Sequence, residues 1–121
     1  MKNSNESIFV VDDDQGILDS FDAILGDEYN LVMIDNGTKA IKLLGKENPR
    51  LLFLDIKMPA PNGLEVLKNI REKAISTVVV IVTAFVQDSY LKIARQYGIY
   101  RYLNKPLDVD EVEDIARRVL H

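Results

Sequence analysis

The sequence predicts an α/β domain: a doubly wound, five-stranded parallel sheet with helices on both faces. Three observations predict it. Apolar runs alternate with amphipathic segments five times in succession. The runs Ile8–Val11, Leu51–Leu54 and Val78–Val82 are continuously apolar, as strands covered on both faces are. Polar residues stand directly behind these runs: Asp12, Asp13 and Asp14 after the first, Asp55 after the second, Thr83 after the third. Right-handed crossovers would gather those ends on one rim of the sheet, where open parallel sheets bind their ligands.

The elements follow in order. Ile8–Val11 is the first strand. Gln15–Leu25 reads as a helix, with Ile17, Leu18, Phe21, Ile24 and Leu25 on one face and Gly26 ending it. Leu31–Ile34 is the second strand and Asn36-Gly37 a turn. Thr38–Leu44 is a short helix stopped by Gly45, and Leu51–Leu54 the third strand. The loop Lys57–Asn62 holds Pro59 and Pro61, so it is not helical throughout. Gly63–Lys73 is a helix buried through Leu64, Leu67 and Ile70, and Val78–Val82 the fourth strand. Asp88–Tyr97 is a helix closed by Gly98, and Tyr100–Leu103 a short fifth strand. The last helix starts at an Asp108 cap, with Glu111 three residues on as in a capping box.

Length and composition set limits. The 121 residues suit one domain, with residues 1–6 as a frayed terminus. Hydrophobic content of 47% and charged content of 28% are ordinary for a globular chain. A net charge of −4 argues against direct nucleic-acid binding by the domain. With no cysteine, disulfides and thiolate metal sites are excluded. No apolar stretch reaches the ~18 residues of a membrane span, and a cytoplasmic location is expected. The sequence contains no phosphate-binding P-loop and no Gly-x-Gly-x-x-Gly after a strand, which argues against nucleotide hydrolysis.

The rim residues suggest a chemistry. If the first and third strands are neighbours, Asp12, Asp13 and Asp55 converge. Two carboxylates ~4 Å apart repel by roughly 4 kcal/mol at an effective dielectric of 20. Such a cluster keeps a proton or binds a cation, and oxygen ligands without His or Cys favour Mg²⁺ or a similar hard ion. Lys105 supplies a point charge for a phosphoryl oxygen and Thr83 a hydroxyl donor. An aspartate can itself accept the group as an acyl phosphate.

The motifs FVVDDDQG, LLFLDIKMPAPNGLEVL, VVVIVTA and YLNKPLD occur in this order at strand ends over nearly the whole chain. In these the chain resembles the receiver (phosphoacceptor) domain of two-component response regulators, with its flavodoxin-like fold. The resemblance implies Asp55 as the phosphorylation site, with Asp13 and Asp55 as direct Mg²⁺ ligands and Asp12 acting nearby. The backbone carbonyl of Lys57 would be a further ligand. Lys105 would contact the phosphoryl group, Thr83 would hydrogen-bond it, and Tyr102 would be the aromatic switch. A cis Lys105–Pro106 bond is expected. The donor would be a histidine kinase or a histidine phosphotransfer protein. A phosphorylation-dependent dimer would form through the fourth helix, fifth strand and fifth helix. The domain would not be an enzyme beyond self-catalysed phosphorylation and dephosphorylation. Lys57 and Phe85 would flank the approach of hydrolytic water and slow loss of the phosphoryl group. Two departures from the family pattern, Pro61 in the loop and Ile99 after Gly98, touch loop shape rather than chemistry.

Two other readings compete. A haloacid-dehalogenase-type Mg²⁺-dependent phosphohydrolase would use Asp12 and Asp14 as its Asp-x-Asp pair, but would leave Asp55 without a role. A degenerate receiver serving only as a protein-binding module would not need the complete set Asp12, Asp13, Asp55, Thr83 and Lys105.

Overall fold

Five strands and five helices alternate along the computed structural model, which describes residues 7–84 and 88–121. The elements are β1 (Ser7–Val11), α1 (Gln15–Leu25), β2 (Asn30–Ile34), α2 (Gly37–Glu47), β3 (Leu51–Asp55), α3 (Gly63–Glu72), β4 (Val78–Thr83), α4 (Asp88–Gln96), β5 (Arg101–Asn104) and α5 (Val109–Leu120). The strands form one parallel sheet in the order β2-β1-β3-β4-β5. Strand order therefore reverses between β1 and β3, and a crevice opens there at the carboxyl ends. The expected frayed residues 1–6, and Phe85, lie outside the described residues.

Strand alternation divides the core between the two faces. Phe9, Val11, Leu52, Leu54, Val79 and Ile81 pack with residues of α2, α3 and α4. Ile8, Val10, Leu51, Phe53, Val80 and Val82 pack with Leu18, Phe21 and Leu25 of α1 and Val112, Ile115 and Ala116 of α5. The Phe21 and Phe53 rings meet at 4.7 Å and 40°, a tilted aromatic pair that ties α1 to the central strand.

Several boundaries differ from the sequence expectation. Asn36-Gly37 is the start of α2 rather than a separate turn: Asn36 Oδ1 accepts from Lys39 N–H at 2.8 Å. Gly45 does not stop this helix, which runs to Glu47 and ends at Asn48 in the left-handed region (φ 44). A helical glycine costs only ~1 kcal/mol relative to alanine, and Asn tolerates the left-handed cap. Helix α3 ends one residue early, at Glu72, and α4 at Gln96. Strand β4 extends to Thr83, and β5 is displaced by one residue, pairing Ile81 with Tyr102 and Thr83 with Asn104. Gly98, at φ 86, makes the left-handed turn between α4 and β5. Asp108 caps α5, accepting from Glu111 N–H at 3.2 Å.

Arg71, at the end of α3, holds this side of the molecule together. Its guanidinium donates to four backbone carbonyls, those of Ile75, Thr77, Tyr97 and Gly98, at 2.9–3.0 Å. One side chain thus ties the loop before β4 to the turn after α4.

Candidate functional site: a carboxylate cluster at the sheet's carboxyl rim

Asp12 follows β1 and is held by its backbone, whose N–H donates to Ile34 C=O at 3.0 Å. Its side chain is 1% exposed, and Oδ1 accepts from Asp14 N–H at 2.9 Å. Asp14 turns away to cap α1, accepting from Gly16 N–H at 2.8 Å. That division of roles follows from local geometry. Asp14 stands where the first helical N–H groups lack partners, while Asp12 still lies on the line of the strand. Asp13 is exposed beside them.

Asp55 is the last residue of β3 and 4% exposed. Its Oδ1 accepts from Lys57 N–H at 3.2 Å. Asp12, Asp13 and Asp55 each offer one carboxylate oxygen, all within 4.8 Å of one another. Lys105 completes the group: its ammonium lies 2.9 Å from Asp12 Oδ2 and 3.7 Å from Asp55 Oδ2. Backbone pairing fixes its origin, since Lys105 N–H donates to Thr83 C=O at 2.9 Å and the Lys105–Pro106 bond is cis, as expected. A second cis bond, Ala60–Pro61, lies in the loop after β3. Thr83, 1% exposed, ends β4 on the same rim.

The electrostatics follow from burial. Burial raises the Asp55 carboxyl pKa, the neighbouring Asp12 charge raises it further, and Lys105 and the Lys57 N–H only partly oppose this; the result is about 6. Burial by itself would lower the Lys105 pKa, but the Asp12 carboxylate, with Asp55 and Asp14 behind it, pushes it up. The buried Asp12 Oδ2 has the ammonium as an ion partner but no hydrogen bond of good alignment. A buried, under-satisfied carboxylate oxygen between two further carboxylates suits a hard divalent cation with oxygen ligands.

The loop after β3 is packed so closely that two glycines are needed. At Gly63 a Cβ would collide with the Asp55 carbonyl oxygen and lie 2.6 Å from Ile56 Cα. At Gly37 it would run into the Pro61 carbonyl and lie 2.8 Å from Pro61 Cγ. The Asn62–Glu65 capping box then launches α3 directly behind the site, with bonds of 3.0 Å in each direction.

Among the sequence-predicted residues, Asp12, Asp13, Asp55 and Lys105 converge, and Thr83 ends the neighbouring strand. Tyr102 lies one strand further out, partly buried against the α4 side of the core, with the Arg95 guanidinium 5.9 Å from its ring centre. The Lys57 side chain reaches toward α4, its ammonium 5.5 Å from the centre of the Tyr90 ring. Sequence reasoning missed Tyr90 and Arg71. Nothing in a helical tyrosine or a helix-terminal arginine marks such contacts. The Asn62-x-x-Glu65 box, by contrast, was open to inspection in the sequence.

Comparison with known proteins shows the family and the fold. A profile of the response regulator receiver domain matches residues 8–117. Sporulation initiation phosphotransferase F of Bacillus subtilis is 32% identical over 117 residues, covering 96% of this chain and 94% of that protein. The DNA-binding transcriptional regulator NtrC of Escherichia coli is 32% identical over 114 residues. That match covers 93% of this chain but only 24% of NtrC. Among solved structures, a CheY-like response regulator receiver domain protein from Methanospirillum hungatei superposes with a TM-score of 0.86 at 26% identity. The alignment covers 94% of this chain and 93% of that one.

Proposed function

This chain belongs to the response regulator receiver domain family, whose members serve phosphotransfer signalling in two-component systems, and on that premise we propose that it takes up a phosphoryl group on Asp55. The observation that carries the reading is the convergence of three carboxylates and Lys105 at the β1–β3 crevice. The 121 residues would act as one receiver domain, a signalling module rather than an enzyme acting on a separate substrate.

The residues divide the work. Above a pKa of about 6, Asp55 is mainly ionised at neutral pH and hence nucleophilic. One of its oxygens attacks phosphorus, the bond from phosphorus to the donor's imidazole nitrogen breaks, and the imidazole leaves neutral, keeping the proton already on its other ring nitrogen. The donor is a phosphohistidine on a histidine kinase or a phosphotransfer protein. Asp13, Asp55 and the Lys57 backbone carbonyl, with Asp12 nearby, would hold Mg²⁺, which when bound offsets phosphoryl charge. Lys105 offers its ammonium to a phosphoryl oxygen, and Thr83 donates its hydroxyl to another. Catalysis here is positioning and charge neutralisation.

Drawing Thr83 toward the phosphoryl group would free space for Tyr102 and alter the face made by α4, β5 and α5. That face exposes Ile93 (42%) and Tyr100 (47%), which suits a phosphorylation-dependent dimer or partner contact. Its basic residues are already engaged: Arg101 lies over Tyr100, and Asp114 pairs with Arg117 and Arg118. A cytoplasmic location goes with this reading; among the described residues no helix is long and apolar enough to cross a membrane.

The test is incubation with Mg²⁺ and a small acyl phosphate, followed by intact-mass analysis. One phosphoryl adduct should form in the parent and none in Asp55→Asn. Undiminished labelling of that variant rejects the assignment. Loss of label on changing Asp12 alone, with Asp55 unlabelled, would restore the phosphohydrolase reading.

A further inference from the structure

We propose that Tyr90 is a second receiver of the phosphorylation signal, reached through Lys57. In the resting protein the Tyr90 ring holds the Lys57 ammonium. A phosphoryl group on Asp55 draws that ammonium away and loosens the first turn of α4 from the loop after β3. The inference rests on the assignment of Asp55 as phosphoacceptor.

The two ends of Lys57 face different partners. Its backbone N–H donates to Asp55 Oδ1 at 3.2 Å, so the residue is anchored to the reactive carboxylate. Its ammonium lies over Tyr90, 5.5 Å from the ring centre. Tyr90 is the third residue of α4 and packs, partly buried, against the core on that face. The two side chains line one cleft of about 350 Å³ together with Ile56, Met58, Pro59 and Asn62. The contact therefore joins the phosphoacceptor loop to α4.

The contact is also suited to being broken. A cation over a tyrosine face is held by the ring quadrupole, a weak attraction where water has access. A phosphoryl group adds a charge of about −1.5 to −2 and three strong acceptor oxygens. A lysine ammonium on a flexible four-carbon stem will exchange the first partner for the second. The other end of α4 is anchored independently. Arg71 donates to the carbonyls of Tyr97 and Gly98, both at 2.9 Å. Breaking the contact thus loosens the first turn of α4 from the loop after β3, while Leu91 and Ala94 keep the helix on the core and its end stays fixed.

Nuclear magnetic resonance of the 121-residue chain tests the contact. In the free protein the Lys57 ε-methylene protons should be shifted upfield by the Tyr90 ring current. The shift should vanish in Tyr90→Leu and persist in Tyr90→Phe, which keeps the ring. Mg²⁺ with beryllium fluoride should abolish it in the parent and speed hydrogen exchange of the Leu91 and Lys92 amides, leaving Gly98 unchanged. The affinity for beryllium fluoride gives a second readout. Tyr90→Leu removes a contact made only in the free state, so it should bind beryllium fluoride about threefold more tightly. The same substitution in a Lys57→Met background should have no effect. An upfield shift that is absent at the start, or that survives beryllium fluoride, overturns the relay. So does a Tyr90→Leu effect of equal size with and without Lys57. Phosphoryl uptake undiminished in Asp55→Asn defeats the assignment beneath the relay instead, and leaves the ring-current result of the free protein standing.

Discussion

The Lys105 ammonium lies closer to Asp12 than to Asp55, at 2.9 Å against 3.7 Å. The cation therefore leans on the carboxylate that accepts no phosphoryl group in the proposed reaction, and Asp55 is only partly compensated. The site is built with surplus negative charge, which suits it to recruit a cation before phosphate arrives.

Replacing this lysine separates its two effects. In Lys105→Met a divalent cation meets the carboxylates without a competing charge. Mg²⁺ should bind severalfold more tightly in a fluorescence titration. Uptake from a small acyl phosphate should nevertheless slow by at least about tenfold, because a charge aimed at the transferring group is gone. Faster labelling in the variant would show that Lys105 serves only to hold Asp12.

The Asp55 carboxyl makes stability depend on pH. Its pKa is about 6 in the fold against an ordinary 3.8, through burial first and the Asp12 charge second. The folded state thus holds the proton more tightly than the unfolded chain. Below about pH 4 both states carry it and nothing is lost. Between about pH 4 and 6 the unfolded chain releases it first, so stability falls as pH rises, and the full deficit remains above about 6. Asp55→Asn should therefore be more stable than the parent in chelator-treated buffer at neutral pH, by roughly 1–3 kcal/mol. Urea unfolding should show that advantage shrink toward pH 4 and narrow when Mg²⁺ is added. A constant difference across this range would mean that the asparagine acts through packing alone.

Neighbouring aspartates should respond differently to the same change. Asp13 offers a carboxylate oxygen to the cluster, whereas Asp14 caps α1. Asp13→Asn should weaken Mg²⁺ binding by about tenfold or more, through loss of a ligand and a charge. Asp14→Asn keeps a competent cap and should change the affinity little. Equal losses in a Mg²⁺ titration would show that the cluster acts as diffuse charge.

Arg71 offers a test of the scaffold apart from the chemistry. Arg71→Met removes four hydrogen bonds to backbone carbonyls. Some of these carbonyls can turn to water, so the expected cost is about 2–4 kcal/mol in urea unfolding. Arg71→Lys should recover only part of it, because a single ammonium cannot fork across two loops. A cost under about 0.5 kcal/mol would show the clamp to be redundant.

How legible the molecule was depended on the range of the forces involved. The buried strands were readable because burial on both faces demands a continuous apolar run, as in Leu51–Leu54. The cap at Asp108 was readable because its partner is three residues away. The end of α2 was misread because a glycine's local cost was set against packing that only the fold supplies. The displaced β5 was misread because an edge strand takes its register from its neighbour, Ile81 against Tyr102, and not from its own residues.

Sequence by itself determined the fold class, the polar residues at the strand ends and, through ordered motifs, the family. These rest on local periodicity and on the rule that parallel strands send their carboxyl ends to one side. Only the tertiary structure decided how those residues share charge. It set Lys105 nearer to Asp12 than to Asp55, lifted the Asp55 pKa through burial, and laid Lys57 across to Tyr90. Each of these depends on distances between residues 33 to 93 positions apart in the chain, as in the pairs Lys57–Tyr90 and Asp12–Lys105. Ring contacts act over a few ångströms and screened charges over roughly 10 Å, so such contacts are settled by packing rather than by spacing along the sequence.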